Sequence, residues 1–306
     1  MQYITRKGGA TVTIFVPYDC QNHCPFCINK AEYEDTSKFN LEEILRSIKI
    51  MSAMTPSCDF VLTGGEPLAD LDKCELILKT IHGKDTHHKV FINTTLPTNK
   101  YTIDELAFKL NRWYTFNLIT GINVSRHLDK YVQECDDAIF KMLIFEPRIN
   151  CVLYNIHTLD KKIKNKLTAF VERFKAFTDY IQFRKDYVVT TPSNLYDEKG
   201  DEIFKLLKET FDYVGPFGQY RMRCGYEFKY EDYKITYHKT LPYSKIYLTN
   251  NSVALYDVII KQDGTIKEDW DTCLEESITP VNRKCDNIAN ELDLTAYKNV
   301  TYEEYR

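Results

Sequence analysis

Three cysteines on one short stretch have the residue types and spacing best suited to chemistry. Cys20, Cys24 and Cys27 follow the apolar run of residues 12–16, which predicts a buried strand that ends just before a cysteine-bearing loop. Thiolates this close together can bind one metal centre, and soft sulfur selects zinc or an iron–sulfur cluster. Because three cysteines leave one coordination position open, the triad indicates a reactive rather than a structural centre.

The triad by itself does not decide between zinc and a cluster. A zinc knuckle that uses His23 as its fourth ligand fits the same residues, and so does a loop of three reactive thiols. A second motif, Gly64-Gly65-Glu66-Pro67, ends the next strand-like run at residues 59–62. Paired glycines let the backbone approach a ligand closely, and Glu66 provides an anion for a cationic group.

The two motifs together, C-x3-C-x2-C and G-G-E-P, resemble the radical S-adenosylmethionine (radical SAM) superfamily. The resemblance implies that Cys20, Cys24 and Cys27 bind three irons of a [4Fe–4S] cluster. It implies that the amino and carboxylate groups of S-adenosylmethionine (SAM) chelate the fourth iron. The aromatic residue before the third cysteine, Phe26, is then expected near the adenine, and the Gly64-Gly65-Glu66 segment is expected to contact SAM.

Strand-like and helix-like signals alternate through the first part of the chain, which is typical of βα units around a parallel sheet. Six such units precede residue 188, and they match the partial (βα)6 TIM-like barrel that the resemblance implies. The predicted strands cover residues 12–16, 59–62, 89–93, 116–124, 148–153 and 180–184. Helices are predicted after most of these strands, among them one that starts with Asn40 as its cap, one that starts with Thr102, and one over residues 131–143.

Ligands of parallel barrels bind at the carboxyl ends of the strands, which makes polar residues there candidates for binding. Thr94, Ser125, Asn150 and Arg184 occupy such positions in the predicted strands. In radical SAM barrels the corresponding residues of the fourth, fifth and sixth strands often contact the ribose and methionine of SAM. The resemblance therefore assigns Ser125, Asn150 and Arg184 to the cofactor, although each also suits a cap or turn.

The pattern changes after residue 188, so we divide the chain into a barrel core (1–188) and a C-terminal α+β extension (189–306). The extension begins with one more helix near residues 203–211 and continues as an antiparallel meander over residues 246–267, with Asp263-Gly264 as a hairpin turn. We expect it to cap the barrel and shape the substrate site. Its cysteines, Cys224, Cys273 and Cys285, are candidates for an auxiliary cluster or for buried free thiols.

The bulk composition excludes some classes of protein and leaves others. A net charge of −4 gives no indication of nucleic-acid binding, and no apolar run is long enough to span a bilayer. The first residues lack the apolar segment of a signal peptide. We therefore expect a cytoplasmic protein without a membrane partner, in a reducing compartment that would preserve an oxygen-sensitive cluster.

The resemblance implies a reaction type but no substrate. One electron from the cluster would cleave SAM to methionine and a 5′-deoxyadenosyl radical, which would abstract hydrogen from a nucleotide-like small molecule or a peptide. An electron donor such as flavodoxin or ferredoxin is implied. The strand at residues 148–153 is most similar to the MoaA-like and viperin-like branch. The alternative is a non-catalytic iron–sulfur or zinc-binding protein that retains the barrel.

Overall fold

A computed structural model describes most of the chain up to residue 267. The described residues are 2–5, 10–27, 29–30, 35–54, 58–82, 88–129, 131–156, 161–186, 201–217, 225–238, 245–247, 252–255 and 257–267. The three cysteines proposed for an auxiliary cluster, Cys224, Cys273 and Cys285, lie outside them. Among the described helices, none combines the length and the apolar character that a bilayer crossing requires.

The strands in the described residues form a large sheet and a small one. Their bounds are β1 (Gln2–Thr5), β2 (Thr11–Val16), β3 (Asp59–Gly64), β4 (Lys89–Thr94), β5 (Gly121–Ser125), β6 (Arg148–Leu153), β7 (Tyr180–Lys185), β8 (Asp212–Phe217), β9 (Gly225–Tyr230), β10 (Tyr233–His238), β11 (Lys245–Tyr247), β12 (Ser252–Leu255), β13 (Asp257–Ile260) and β14 (Ile266–Lys267). The large sheet has the order β14-β13-β2-β3-β4-β5-β6-β7-β10-β9-β8, and the small one has the order β1-β12-β11.

Within the large sheet, the strands from β13 to β10 run parallel to one another, whereas the outer pairs β13–β14 and β10–β9 are antiparallel. The predicted α/β fold with parallel βα units is therefore confirmed, and the sheet is not closed, because β14 and β8 form its two edges. Two strands from the segment after residue 188 extend the predicted six: β10 pairs with β7, and β13 pairs with β2.

Helices connect most of the parallel strands, and their caps follow from the local sequence. Thr102 and Glu105 form the predicted reciprocal capping box, and Asn40 accepts a hydrogen bond from the Glu43 N–H at 3.2 Å. The helices are α1 (Leu41–Met54), α2 (Leu71–Ile81), α3 (Ile103–Thr115), α4 (Ala138–Met142), α5 (Lys161–Phe174) and α6 (Glu202–Thr210).

The two faces of the parallel strands differ in character, because successive side chains point to opposite sides. On β5, β6 and β7 one set of alternating residues is buried in the apolar core, and the other set is mostly half-buried and mostly polar, with Val152 as an apolar member. Asn123 donates to Asn93 at 2.8 Å across neighbouring strands, so these residues share the polar face. This inner, polar face is the one available to a ligand.

Two predicted elements are shorter in the structure. The fourth strand begins at Gly121, because α3 continues to Thr115 and ends in turn bonds made by Phe116 and Asn117. The helix predicted over residues 131–143 covers only α4, since the Gln133 N–H is instead bound by a side chain of the cysteine loop. In the first half of the predicted helix, a hydrogen bond to the cysteine loop thus takes the place of a helical backbone bond.

The predicted meander is also divided differently. Its central run splits into β12, which pairs with β1 and β11, and β13, which belongs to the large sheet. The hairpin turn at Asp263-Gly264 is confirmed, because it joins β13 to β14. Gly264 has a φ of +83°, and a β-carbon there would lie 2.4 Å from that of Glu43, so glycine suits this turn.

Candidate functional site

The inner face of the sheet is filled at its amino end and polar at its carboxyl end. The Arg148 guanidinium lies 4.4 Å from the ring centre of Phe91 and 5.6 Å from that of Tyr180. The arginine therefore stacks on the Phe91 ring. The candidate residues all lie at the other end, where ligands of parallel sheets bind.

The cysteine triad lies on the loop that leaves β2. Cys20, Cys24 and Cys27 are partly exposed, and the Cys27 N–H donates to the Cys24 carbonyl at 3.1 Å, which closes a tight turn. Burial raises the pKa of Cys20 to about 11, with further contributions from the charges of Glu66 and Cys27. The pKa of Cys24 is raised to about 12, again chiefly by burial and then by the charges of the other two thiols. The remaining described cysteines are buried: Cys58, Cys74, Cys135 and Cys151.

Beyond burial, the negative charges of neighbouring thiolates raise the pKa values of Cys20 and Cys24, and a bound cation would stabilise the thiolate forms. Across the described residues, no three His, Cys, Asp or Glu side chains lie close enough to share a single metal ion. Ligands of one tetrahedral zinc ion, each about 2.3 Å from the metal, would lie about 3.8 Å apart. In a [4Fe–4S] cluster each cysteine binds a different iron, so wider spacing suffices. His23 is exposed and does not group with these thiols, and three thiols, each on a different iron, are a donor set that fits a [4Fe–4S] cluster.

The glycine motif is attached to the start of the cysteine loop through its backbone. The Gly65 N–H donates to the Val16 carbonyl at 3.0 Å, and the Glu66 N–H donates to the Tyr18 carbonyl at 3.2 Å. Gly64 has a φ of +121°, and a β-carbon at this position would lie 2.2 Å from the Val16 carbonyl oxygen. Only glycine satisfies both conditions, so the motif and the loop form one continuous backbone surface.

The Glu66 side chain turns inward and is 1% exposed. Its Oε1 accepts from the Leu68 N–H at 3.1 Å and from the Thr94 hydroxyl at 2.6 Å. Its Oε2 accepts from the N–H and the hydroxyl of Thr95, both at 2.7 Å. Burial raises the pKa of Glu66, and the four hydrogen bonds partly oppose that shift. No cationic side chain of the described residues forms an ion pair with this carboxylate.

Phe26 anchors the cysteine loop within a group of aromatic rings. Its ring centre lies 4.6 Å from that of His127, 5.5 Å from that of Tyr154 and 5.9 Å from that of Tyr131. His127 follows β5 and Tyr154 follows β6, so the loop is attached to the carboxyl ends of both strands. Burial lowers the pKa of His127 to about 4, and the Arg126 charge adds to that effect, so this imidazole is neutral near pH 7.

Ser125, Asn150 and Arg184 lie side by side on the inner face, whereas the fourth polar strand-end residue, Thr94, is in register with the core residue Val124. Ser125 is in register with Asn150, and Asn150 is in register with Gln182. Arg184 lies two residues further along β7, and its Nε and Nη2 donate to Gln182 Oε1 at 3.0 and 2.8 Å. Arg184 forms no ion pair with a carboxylate of the described residues, so its charge remains available.

Gln182 and His238 extend this group, and neither was predicted from the sequence. Because Gln182 Oε1 accepts from Arg184, its amide NH2 is the group that donates to His238 Nε2. His238 is therefore neutral, with its proton on Nδ1. Burial lowers its pKa to about 3, and the Arg184 charge contributes. The alternation of polar residues on β7 was a usable signal for Gln182, but no local pattern places His238 beside β7.

A comparison with protein families identifies the first part of the chain. Residues 14–124 match the family model of the Radical SAM superfamily. Over these residues the chain is similar to radical SAM proteins. The matched part contains the three cysteines, the glycine motif and Glu66, and it ends one residue before Ser125. Asn150, Arg184 and His238 lie outside the radical SAM match.

Solved structures with a similar arrangement share little sequence with the chain. A histidine-tagged anSMEcpe with bound AdoMet is 21% identical, with a TM-score of 0.45, and the match covers 65% of this chain and 58% of that one. The FeFe-hydrogenase maturase HydG from Carboxydothermus hydrogenoformans is 14% identical, with a TM-score of 0.40, and the match covers 69% and 52% of the two chains. This chain thus spans little more than half the length of either. No curated protein matches the chain.

Proposed function

We propose that this protein is a radical SAM enzyme that abstracts a hydrogen atom from a small-molecule or peptide substrate. The observation that carries the proposal is the Glu66 carboxylate. It is buried, lacks a cationic partner among the described residues, and belongs to a segment hydrogen-bonded to the start of the cysteine loop. A buried anion of this kind is stabilised by a cationic ligand, and SAM carries both a sulfonium and an ammonium group. The matched radical SAM domain supports the same conclusion.

The residues present fit an iron–sulfur cluster with SAM beside it. Cys20, Cys24 and Cys27 would hold the cluster, which when bound supplies the electron that cleaves SAM to methionine and a 5′-deoxyadenosyl radical. The backbone of the Gly64-Gly65-Glu66 segment is close-packed on the cysteine loop, and it would hold the amino end of SAM.

The rest of SAM would lie along the inner face of the sheet. The Arg184 guanidinium forms no ion pair with a carboxylate of the described residues, so it suits the methionine carboxylate of SAM. Ser125 and Asn150 offer neutral hydrogen-bonding groups in register, and these suit the ribose hydroxyls. Phe26 would pack near the adenine at the edge of its aromatic group.

The protein's contribution is to fix these groups in one geometry and to keep water from the reacting atoms. We propose that the segment after residue 188 closes the mouth of the barrel and selects the substrate. The substrate is a nucleotide-like small molecule or a peptide, and the electron comes from a flavodoxin or ferredoxin in the cytoplasm.

Anaerobic reconstitution followed by a SAM cleavage assay tests the proposal. The wild-type protein should take up about four irons per chain and release 5′-deoxyadenosine when reduced in the presence of SAM. Cys24→Ala should lose both properties. Cys58→Ala removes a buried cysteine away from the loop, so it is the matched control and should retain both. Zinc without iron would overturn the proposal in favour of a zinc-binding protein, and a cluster without SAM cleavage would indicate a non-catalytic iron–sulfur protein.

A further inference from the structure

Thr95, the residue that follows β4, connects three parts of the site. Its N–H and its hydroxyl both donate to Glu66 Oε2 at 2.7 Å. Its hydroxyl also accepts from Asn22 Nδ2 at 3.2 Å, and its carbonyl accepts from Arg126 Nη1 at 3.1 Å. Every polar group of Thr95 therefore forms a hydrogen bond, and these bonds connect Thr95 to three different segments of the chain.

Asn22 is the residue of the cysteine loop that forms a hydrogen bond with Thr95. It lies between Cys20 and Cys24 and is 3% exposed, in contrast to the exposed His23 beside it. Its Nδ2 donates to Thr95, and its Oδ1 accepts from the Gln133 N–H at 2.6 Å. Both ends of this amide are bound, so its orientation is determined by its partners.

The hydrogen-bond directions in this network are mutually consistent. A Thr hydroxyl has one proton, and Thr95 gives it to the Glu66 carboxylate, so its oxygen is free to accept from Asn22. Four donors converge on Glu66, and this matches an ionised carboxylate, which only accepts. A protonated Glu66 would place its own O–H against one of these donors. The hydrogen bonds that run from Gln133 through Asn22 and Thr95 to Glu66 therefore have one consistent arrangement of donors and acceptors.

Arg126 fixes the opposite side of Thr95. It is fully buried, and its Nη1 donates to the carbonyls of Thr95 and Ser125 at 3.1 and 2.9 Å. Its guanidinium also lies 5.3 Å from the Phe140 ring centre. A buried guanidinium on two carbonyls holds the ends of β4 and β5 together, so Thr95 has little freedom to move.

We propose that Asn22 and Thr95 are positioning residues that hold the cysteine loop at a fixed distance and orientation from the Glu66 segment. The inference rests on the proposed function, in which the loop holds the cluster and the segment holds SAM. The transfer of an electron between the two requires a fixed geometry, and side chains locked by hydrogen bonds provide it. Neither residue contacts the reacting atoms in this scheme.

Thr95→Val tests the inference, because the valine side chain has nearly the same shape but neither donates to Glu66 nor accepts from Asn22. Thr95→Ser restores the hydroxyl and serves as the matched rescue variant. In the metal-free protein, we expect the valine variant to show faster alkylation of Cys20, Cys24 and Cys27, measured by mass spectrometry after iodoacetamide treatment. In the reconstituted protein, we expect iron content near that of the wild type. The change that SAM causes in the electron paramagnetic resonance spectrum of the reduced cluster should be lost or altered, and 5′-deoxyadenosine release should fall about tenfold or more.

The serine variant should return all three readouts to within about twofold of the wild type, because it restores the hydroxyl that makes both bonds. Wild-type alkylation rates and a wild-type spectral response to SAM in Thr95→Val would overturn the inference while leaving the proposed function intact. A wild-type protein that fails to cleave SAM in the same assay would instead overturn the proposed function.

If Thr95→Val does not fold, Asn22→Asp answers the same question. It keeps the acceptor for the Gln133 N–H and removes the donor to Thr95. The same alkylation and spectral changes would then support the inference, and their absence would overturn it.

Discussion

The backbone of Gly64 packs directly on that of Val16, so that a β-carbon on residue 64 would lie 2.2 Å from the Val16 carbonyl oxygen. Gly64 also has a φ of +121°, which other residues rarely adopt. Gly64→Ala should therefore lower the free energy of unfolding by about 2 kcal/mol or more, since strain and overlap act together. Urea denaturation of the metal-free protein measures this change.

Gly121→Ala is the control for this substitution. A β-carbon at residue 121 would lie 3.7 Å from the Phe91 ring, which is an ordinary contact, and its φ is not positive. We expect a change of about 0.5 kcal/mol or less. Equal destabilisation by the two alanines would show that the contact with Val16 is not the cause.

Glu66→Ala should weaken SAM binding about tenfold or more while the absorbance of the cluster stays the same. The substitution removes the buried anion and leaves the donors of Thr94 and Thr95 without their acceptor. Glu105→Ala is a suitable control, because Glu105 is an exposed capping residue at the start of α3 and should affect stability alone. Unchanged SAM affinity of the Glu66 variant in anaerobic calorimetry would contradict the prediction.

The six central strands could be predicted from the sequence because their signals are local. Strand-like runs alternate with helical periodicity, and caps such as Thr102 mark where helices begin. The Asp263-Gly264 turn was predictable for the same reason. The placement of β10 and β13 beside β7 and β2 was not, because a strand pattern does not specify which distant strand becomes its partner.

The candidate site also has one part that could be predicted from the sequence and one part that could not. The cysteine spacing and the glycine motif are short-range patterns, so both were visible in the sequence. The bond between Asn22 and Thr95 joins residues 73 positions apart, and His238 reaches Gln182 across 56 positions. Such contacts depend on how the strands assemble, and no residue pattern on either segment indicates them.

The three late cysteines give a prediction about iron stoichiometry. Cys224, Cys273 and Cys285 lack the tight spacing of the first triad, and we expect them to bind no cluster. Changing all three to serine should leave the iron content at about four per chain and SAM cleavage at the wild-type rate. Loss of iron in this variant, with the first triad intact, would show that an auxiliary cluster exists.

His238 should make the protein less stable as the pH falls. Its pKa is about 3 in the folded protein, chiefly because of burial, against about 6.5 in an unfolded chain. As the pH falls below about 6.5, the unfolded state binds a proton that the folded state does not bind. The contribution of neutral His238 to the free energy of unfolding is therefore fully present above about pH 6.5 and is lost progressively towards pH 3. The loss between pH 7 and pH 5 is about 2 kcal/mol.

His238→Gln isolates this contribution, because glutamine does not titrate and its carbonyl oxygen can still accept from the Gln182 amide. The free energy of unfolding, measured by urea denaturation at pH 7 and at pH 5, should fall less in the variant than in the wild type. The difference between the two falls should be about 2 kcal/mol, since all other titrating groups are shared. Parallel falls in the two proteins would mean that His238 takes up a proton equally readily in the folded and the unfolded state. The lowered pKa of the buried imidazole would then be wrong.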